Sequence, residues 1–199
     1  MQRLKEQIRT NIIKAAVMEF QEYGYEKASM RAIAKSAGVS VANTYNYFPS
    51  KAQLFGAIVE PVFNRMKEIF RRSMQESFKR GLTSNNIQPF VDGIVKELLD
   101  MTNRERQLLI ILAEKSAGTK YEKSRDEFVN LLRMHLVEAV RKPGSAVVGE
   151  DQAYILDIIA ANYVDGLFRI LKDYRGLPWA EENLRILLTY HLNGIKALS

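Results

Sequence analysis

Residues 29–51, S-M-R-A-I-A-K-S-A-G-V-S-V-A-N-T-Y-N-Y-F-P-S-K, constrain this chain more than any other stretch. Ser29 is placed as an N-cap, its hydroxyl able to accept a bond from a free N–H of the first helical turn. Ile33 and Ala37 then share one face, with Met30 and Ala34 beside them, so that face can be buried. Gly38 suits the left-handed position that ends a helix and turns the chain. Ser40 caps a second helix over 41–48, which Pro49 stops. Two short helices joined by a glycine turn of this length make a helix-turn-helix, and the second helix of such a unit can enter a DNA major groove.

The surface of the second helix fits that task. Val41, Ala42, Asn43, Thr44 and Asn46 are small or amide-bearing, and no long acidic side chain keeps a polyanion away. Asn43 and Asn46 carry the amide that pairs with the major-groove edge of adenine. Tyr45 and Tyr47 offer phenolic donors, and Phe48 an inward anchor. Lys51 falls in the first turn of the next helix, where its charge opposes the macrodipole. A phosphate at that point would reverse the sign, because helix N-termini and lysines both attract anions. Ser50 and Gln53 form a capping box that supports a helix start here. Ser29, Tyr45, Tyr47 and Lys51 are therefore the candidates for phosphate contacts. Arg31, Val41, Asn43 and Asn46 are the candidates for base edges, with Ser40 and Ala42 completing the surface.

Residues 24–55 read G-Y-E-K-A-S-M-R-A-I-A-K-S-A-G-V-S and, after V-A-N-T, Y-N-Y-F-P-S-K-A-Q-L-F. This combination resembles the DNA-binding domain of the tetracycline-repressor (TetR) family. The resemblance is carried by Gly24, Ser29 in place of the usual Thr, Ile33-Ala34, Ala37-Gly38-Val39-Ser40, Tyr45, Tyr47-Phe48, Ser50-Lys51 and Leu54. Two positions depart from the family's pattern: Ala42 stands where glycine is frequent, and Thr44 where Leu or Ile is frequent. Ala42 keeps the backbone close to DNA. Thr44 either weakens one core contact or puts a hydroxyl near the groove.

The chain has 199 residues, 47% hydrophobic, a formal charge of +6 and a pI near 9.4. That length holds one large domain, or a small one plus a larger one. Residues 1–55 carry eight Lys and Arg against four Glu, a net of +4, whereas the remainder carries 21 basic against 19 acidic residues. Most of the excess thus lies with the helix-turn-helix, as a phosphate-binding surface requires. A basic membrane-surface domain fits less well, because the first helix lacks bulky aromatics on an open apolar face. The chain has no cysteine, so neither a disulfide framework nor a thiolate metal site is available, in keeping with a reducing cytosol. The charged N-terminal residues Arg3, Lys5, Glu6 and Arg9 do not form a signal peptide, and no apolar run approaches a membrane span.

Elsewhere the periodicity is helical throughout. A helix over 5–23 buries Ile8, Ile12, Ala16 and Phe20, with Ala15 and Tyr23 near the same stripe, and ends at Gly24. It braces the helix-turn-helix. A long helical segment runs from Lys51 to about Arg80, with Pro61 expected to kink or split it near the seam between two domains. Phe63, Met66, Phe70, Met74 and Phe78 make its second stripe, and Gly81 with 82–86 ends it. Pro89 opens a helix to Met101, and Asn103 caps another over 104–116. Further helices are expected over 121–141, stopped by Pro143-Gly144, over 150–173, and from Pro178 to about Ala197, with Ala139 and Ile195 inward. The expected fold is all-α: a three-helix DNA-binding domain over 1–55 and a helical effector-binding and dimerisation domain over 56–199.

His135 and His191 lie on apolar faces without partners at metal spacing, and read first as core or interface histidines. Asp165 and Arg169 form an i,i+4 pair. The cluster Asp157, Asn162 and Asp165 lines a pocket, a dimer seam or a solvated face. No phosphate loop, zinc-protease motif or nucleophile elbow is present, and no cofactor, metal or enzymatic role is implied.

The resemblance implies a homodimer through a four-helix bundle of the last two helices of each subunit, bound to a palindromic double-stranded operator. It also implies an effector pocket in the second domain, for which Phe63, Met66, Phe70, Phe90, Met101, Met134 and Phe168 are the soft, aromatic candidates. The reading is a cytoplasmic, sequence-specific transcriptional regulator, most simply a repressor released by a small apolar ligand. An effector-independent DNA-organising or protein-interaction factor of the same fold is the alternative.

Overall fold

The structure, a computed structural model, describes residues 2–80, 87–140 and 149–198. Among these, the side chains of residues 2, 77–80, 87, 139 and 195–198 are not described. The expected breaks at Gly81 with 82–86 and at Pro143-Gly144 lie outside the described residues, as do the side chains of Phe78, Ala139 and Ile195.

The described residues form eight helices and no strand: α1 (Gln2–Lys27), α2 (Met30–Ala37), α3 (Val41–Tyr47), α4 (Lys51–Arg80), α5 (Ile87–Glu114), α6 (Ser124–Val140), α7 (Glu150–Lys172) and α8 (Leu177–Leu198). The all-α class follows from the 3.6-residue spacing of apolar side chains. In α1, Ile12, Ala16 and Phe20 are fully buried, whereas Tyr23, expected near that stripe, is 55% exposed.

Three expected boundaries change. Gly24 breaks α1 with φ +72° and ψ 169°, but one more turn follows it, and the Tyr25 N–H donates to the Lys115 carbonyl at 2.9 Å. Pro61 does not split α4, which runs unbroken around it with the proline on an exposed face. The helices expected on either side of Asn103 are one, α5. Met101 and Thr102 are buried there, and the Thr102 hydroxyl donates to the Leu98 carbonyl at 2.7 Å. With no glycine or proline at the junction, each added residue gains a backbone bond, and a capping Asn cannot compete with that.

The chain divides into two compact units. The first comprises Met1–Asn64 and Gln107–Ser124, the second Arg65–Arg106 and Arg125–Ser199. The division expected between residues 55 and 56 falls inside the first unit, which also takes in a segment far along the chain. The first unit is built on an aromatic cluster. The Phe55 ring meets Phe20 edge-on at 4.9 Å and Tyr25 at 5.2 Å, and lies 6.2 Å from Tyr121, which in turn meets Phe63 at 5.7 Å. The second unit buries Phe70 in ring contact with both Phe128 and Tyr163, along with Leu98, Leu132, Leu167 and Leu188. Its α6 and α7 are joined by ion pairs: Arg125 takes Asp165, and Arg133 takes Asp157 at 3.1 Å. Asp165 is thus engaged between helices, where an i,i+4 pair with Arg169 was expected. Its cluster with Asp157 is an ionic seam between α6 and α7.

Candidate functional site

The helix-turn-helix forms as its residues dictate. Ser29 is extended, and its Oγ accepts from the Ala32 N–H at 3.4 Å. Its own N–H donates to Glu19 Oε1 at 2.9 Å, a contact no local motif announces. Gly38 takes the left-handed conformation, φ +70° and ψ 31°, and the N–H groups of Gly38 and Val39 close the end of α2 on the carbonyls of Lys35 and Ala34. Ser40 Oγ accepts from the Asn43 N–H at 3.1 Å and starts α3. Both serine hydroxyls spend a lone pair on capping and keep an O–H to donate.

Thr44 in α3 and Phe48 at its C-terminal cap point inward, at 0% and 4% exposure. The Thr44 hydroxyl donates to the Ser40 carbonyl at 3.1 Å, which resolves the two readings of that residue: it is a core position whose polar atom is satisfied by its own helix. Ala42, Tyr45 and Asn46 are exposed, and Val41, Asn43 and Tyr47 are half-buried at the flanks. Ser29, Arg31 and Ser40 are exposed beside them. Neither α2 nor α3 contains a carboxylate. The outward face is therefore small, amide- and phenol-bearing, and bordered by Arg31 and Lys35.

Lys51 also makes contacts within the fold. Its ammonium donates to the carbonyls of Glu26 at 3.0 Å and Ala28 at 3.1 Å, and lies 4.6 Å from the centre of the Tyr25 ring. It ties the start of α4 to the end of α1, where unpaired carbonyls favour a cation. Two of its three donors are committed within the fold. Lys51→Ala is expected to lower stability by roughly 1–2 kcal/mol, a value reduced for its partial exposure. Urea unfolding followed by circular dichroism measures it, and a variant as stable as the parent would show that the tie contributes nothing.

Of the seven residues suggested for a pocket, one lies in the first unit and six in the second. Phe63 belongs to the aromatic cluster of the first unit. Met66 and Met101 are buried in the second unit, and Phe168 is half-buried with its ring 6.0 Å from Phe128. Met134 is 64% exposed and lines an outer groove between α4 and α6. Only Phe70 and Phe90 line the inner cavity of the second unit, a space of about 50 Å³. Sequence reasoning missed Ser73, Tyr163 and the two histidines as its polar lining. The signal was present in the helical spacing of His135 and His191 on apolar faces. Burial pushes the imidazole of His135 below its ordinary range, and holds that of His191 down to about 4 with help from the nearby His135. Both rings are therefore neutral near pH 7. Among the described residues, no group of three or more His, Cys, Asp or Glu could hold a metal ion, and no helix is long and apolar enough to cross a membrane.

Residues 12–58 match the family profile of bacterial regulatory proteins of the tetR family. The chain is 34% identical over 110 residues to the HTH-type transcriptional regulator UidR of Escherichia coli K12, covering 53% of this chain and 50% of UidR. It is 27% identical over 128 residues to the nucleoid occlusion factor SlmA of Haemophilus influenzae, covering 59% of this chain and 56% of SlmA. The chain thus spans about half the length of the curated relatives it matches. Its fold is similar to the crystal structure of NalD, the secondary repressor of the MexAB-OprM multidrug efflux pump in Pseudomonas aeruginosa. The TM-score is 0.61 at 21% identity, with 96% of this chain and 97% of NalD covered, a likeness of fold alone.

Proposed function

We propose that this chain, whose residues 12–58 match the tetR family of bacterial regulatory proteins, is a DNA-binding transcriptional regulator of the cytoplasm, acting as a homodimeric repressor on a palindromic operator. The observation that carries this reading is the outward face of α3. Ala42, Tyr45 and Asn46 are exposed on a helix anchored from behind by Thr44 and Phe48, with no carboxylate on α2 or α3. Val41, Asn43, Asn46 and Arg31 are assigned to base edges, and Ser29, Ser40, Tyr45 and Tyr47 to phosphates. Lys51 has one donor left for a phosphate after its two bonds within the fold.

A duplex is read twice when two copies of α3 sit about one helical turn, ~34 Å, apart. The outer faces of α7 and α8 support such pairing. Tyr154 and Ile158 on α7, and Ile186 and Tyr190 on α8, are exposed at i,i+4 spacing, Tyr190 at 78%. Ile186→Asp sets a carboxylate in this seam. It is expected to raise the dimer dissociation constant at least about tenfold, ~1.4 kcal/mol. Sedimentation equilibrium measures the change, and an unaltered constant would remove α8 from the interface.

Release by a small apolar ligand follows if that ligand binds the form that does not hold DNA better than the form that does. Selection of bound sites from random duplexes tests the whole reading. A palindromic consensus with half-sites one turn apart is expected. Equal retention of arbitrary and palindromic duplexes at moderate salt would overturn it and favour a DNA-organising factor, a reading that the similarity to SlmA keeps in view.

A further inference from the structure

The cavity in the second unit is walled by all five of its helices: Phe70 from α4, Phe90 from α5, Leu132 from α6, Tyr163 from α7 and Leu188 from α8. Among the described residues, no charged side chain lines it. Its polar groups are few. Ser73 spends its hydroxyl hydrogen on the Ile69 carbonyl of its own helix. His191 is 9% exposed, and its Nε2 is buried without a hydrogen-bond partner among the described residues. Burying an unpaired polar atom is unfavourable, so a native fold keeps one where something else pairs with it. The imidazole is also fixed in place, stacked on the Tyr163 ring at 4.2 Å between centroids and 29° between planes.

We propose that this cavity takes a small, uncharged, largely apolar molecule with one hydrogen-bonding head group, and that the head pairs with His191 Nε2. The proposal rests on the reading of the chain as a ligand-responsive regulator and states the class of its ligand. An ion is excluded by the cost of burying charge among apolar walls. A hydroxyl suits either tautomer of the imidazole, since it both donates and accepts.

One way in lies between α4 and α6. Met74 and His135 line the inner cavity and also the outer groove between α4 and α6, whose rim carries Leu131 and Met134. These two side chains are the partition between cavity and groove. A space of about 50 Å³ is smaller than the ~150 Å³ that holds a benzene ring, so entry requires the partition to yield. Met74, unbranched and with three rotatable bonds, is the wall suited to move.

Phenol, toluene and benzoate, added to this chain, test the proposal. Histidine labelled with nitrogen-15 reports on Nε2 by NMR, and titration calorimetry gives affinity. Phenol is expected to shift the His191 Nε2 resonance and to bind about tenfold more tightly than toluene, with benzoate weaker than both. His191→Phe is expected to abolish the preference of phenol over toluene, and Met74→Ala to strengthen the binding of both. A His191 resonance unmoved by phenol in the unaltered protein, benzoate bound as well as phenol, or a preference retained in His191→Phe would overturn it. Duplex selection on the same preparation separates the two readings. A palindromic consensus with His191 unmoved defeats the ligand inference alone, whereas phenol on His191 without duplex binding defeats the regulator.

Discussion

Phe55→Ala is expected to destabilise the first unit by about 3–5 kcal/mol, the usual cost of removing a buried phenyl ring and leaving part of its volume unfilled. Phe55 is fully buried and has three aromatic neighbours: Phe20 on α1, Tyr25 just beyond the break in α1, and Tyr121 in the turn after α5. Edge-on pairs contribute roughly 0.5–1.5 kcal/mol each beyond the area they bury, and two of these contacts are of that kind. Domains are stable by only about 5–15 kcal/mol, so the loss is a large share of the total. Urea unfolding by circular dichroism measures it, with Tyr45→Ala as the surface comparison, since Tyr45 is 43% exposed and contributes no core volume. A loss below about 1 kcal/mol for Phe55→Ala would mean that the cluster is not the keystone of this unit. DNA affinity should fall with the same variant at temperatures where the unit has begun to unfold.

Acid should weaken the second unit through His191. Its ordinary pKa of 6.5 describes the unfolded chain, and burial followed by the nearness of His135 brings it down to about 4 in the fold. The unfolded state therefore binds the proton more tightly, and stability present above pH 6.5 is lost as pH falls toward 4. Below that value both states are protonated and the loss levels off. The interval corresponds to roughly 3 kcal/mol. His135, shifted the same way by burial, adds to the slope with the same sign. Urea unfolding at a series of pH values from 7 to 4.5 should show stability declining, and His191→Leu should flatten most of the decline. Identical slopes in parent and variant would falsify the assignment to His191.

Much of the first unit was legible in the chain. The caps at Ser29 and Ser40 and the turn at Gly38 are local devices: each needs only neighbouring backbone groups, and each formed as expected. The apolar stripe of α1 was legible for the same reason, since Ile12, Ala16 and Phe20 repeat every fourth residue whatever they pack against. The missed features are long-range. Glu19 meets Ser29 across ten residues, Lys115 receives the N–H of Tyr25, and residues 107–124 join a unit otherwise built from the start of the chain. Of the suggested pocket residues only Phe70 and Phe90 line the inner cavity, because aromatic and methionine composition marks any soft core. It does not separate Phe63, in one unit, from Phe70, in the other.

Lys51 marks the division most sharply. From the order of residues alone it is a cation at the start of a helix, an unfavourable place unless an anion arrives. The fold brings the carbonyls of Glu26 and Ala28 to within 3.0 and 3.1 Å of its ammonium, and the same charge becomes a tie between two helices. The sequence by itself determined the helical class, the caps at Ser29 and Ser40 and the carboxylate-free face of α3, because hydrogen bonds within a helix and apolar periodicity act over a few residues. Only the tertiary structure decided which charges are spent inside the molecule and which polar atom, His191 Nε2, is left unpaired at a cavity. Those outcomes depend on groups far apart in the chain, whose meeting no local spacing encodes.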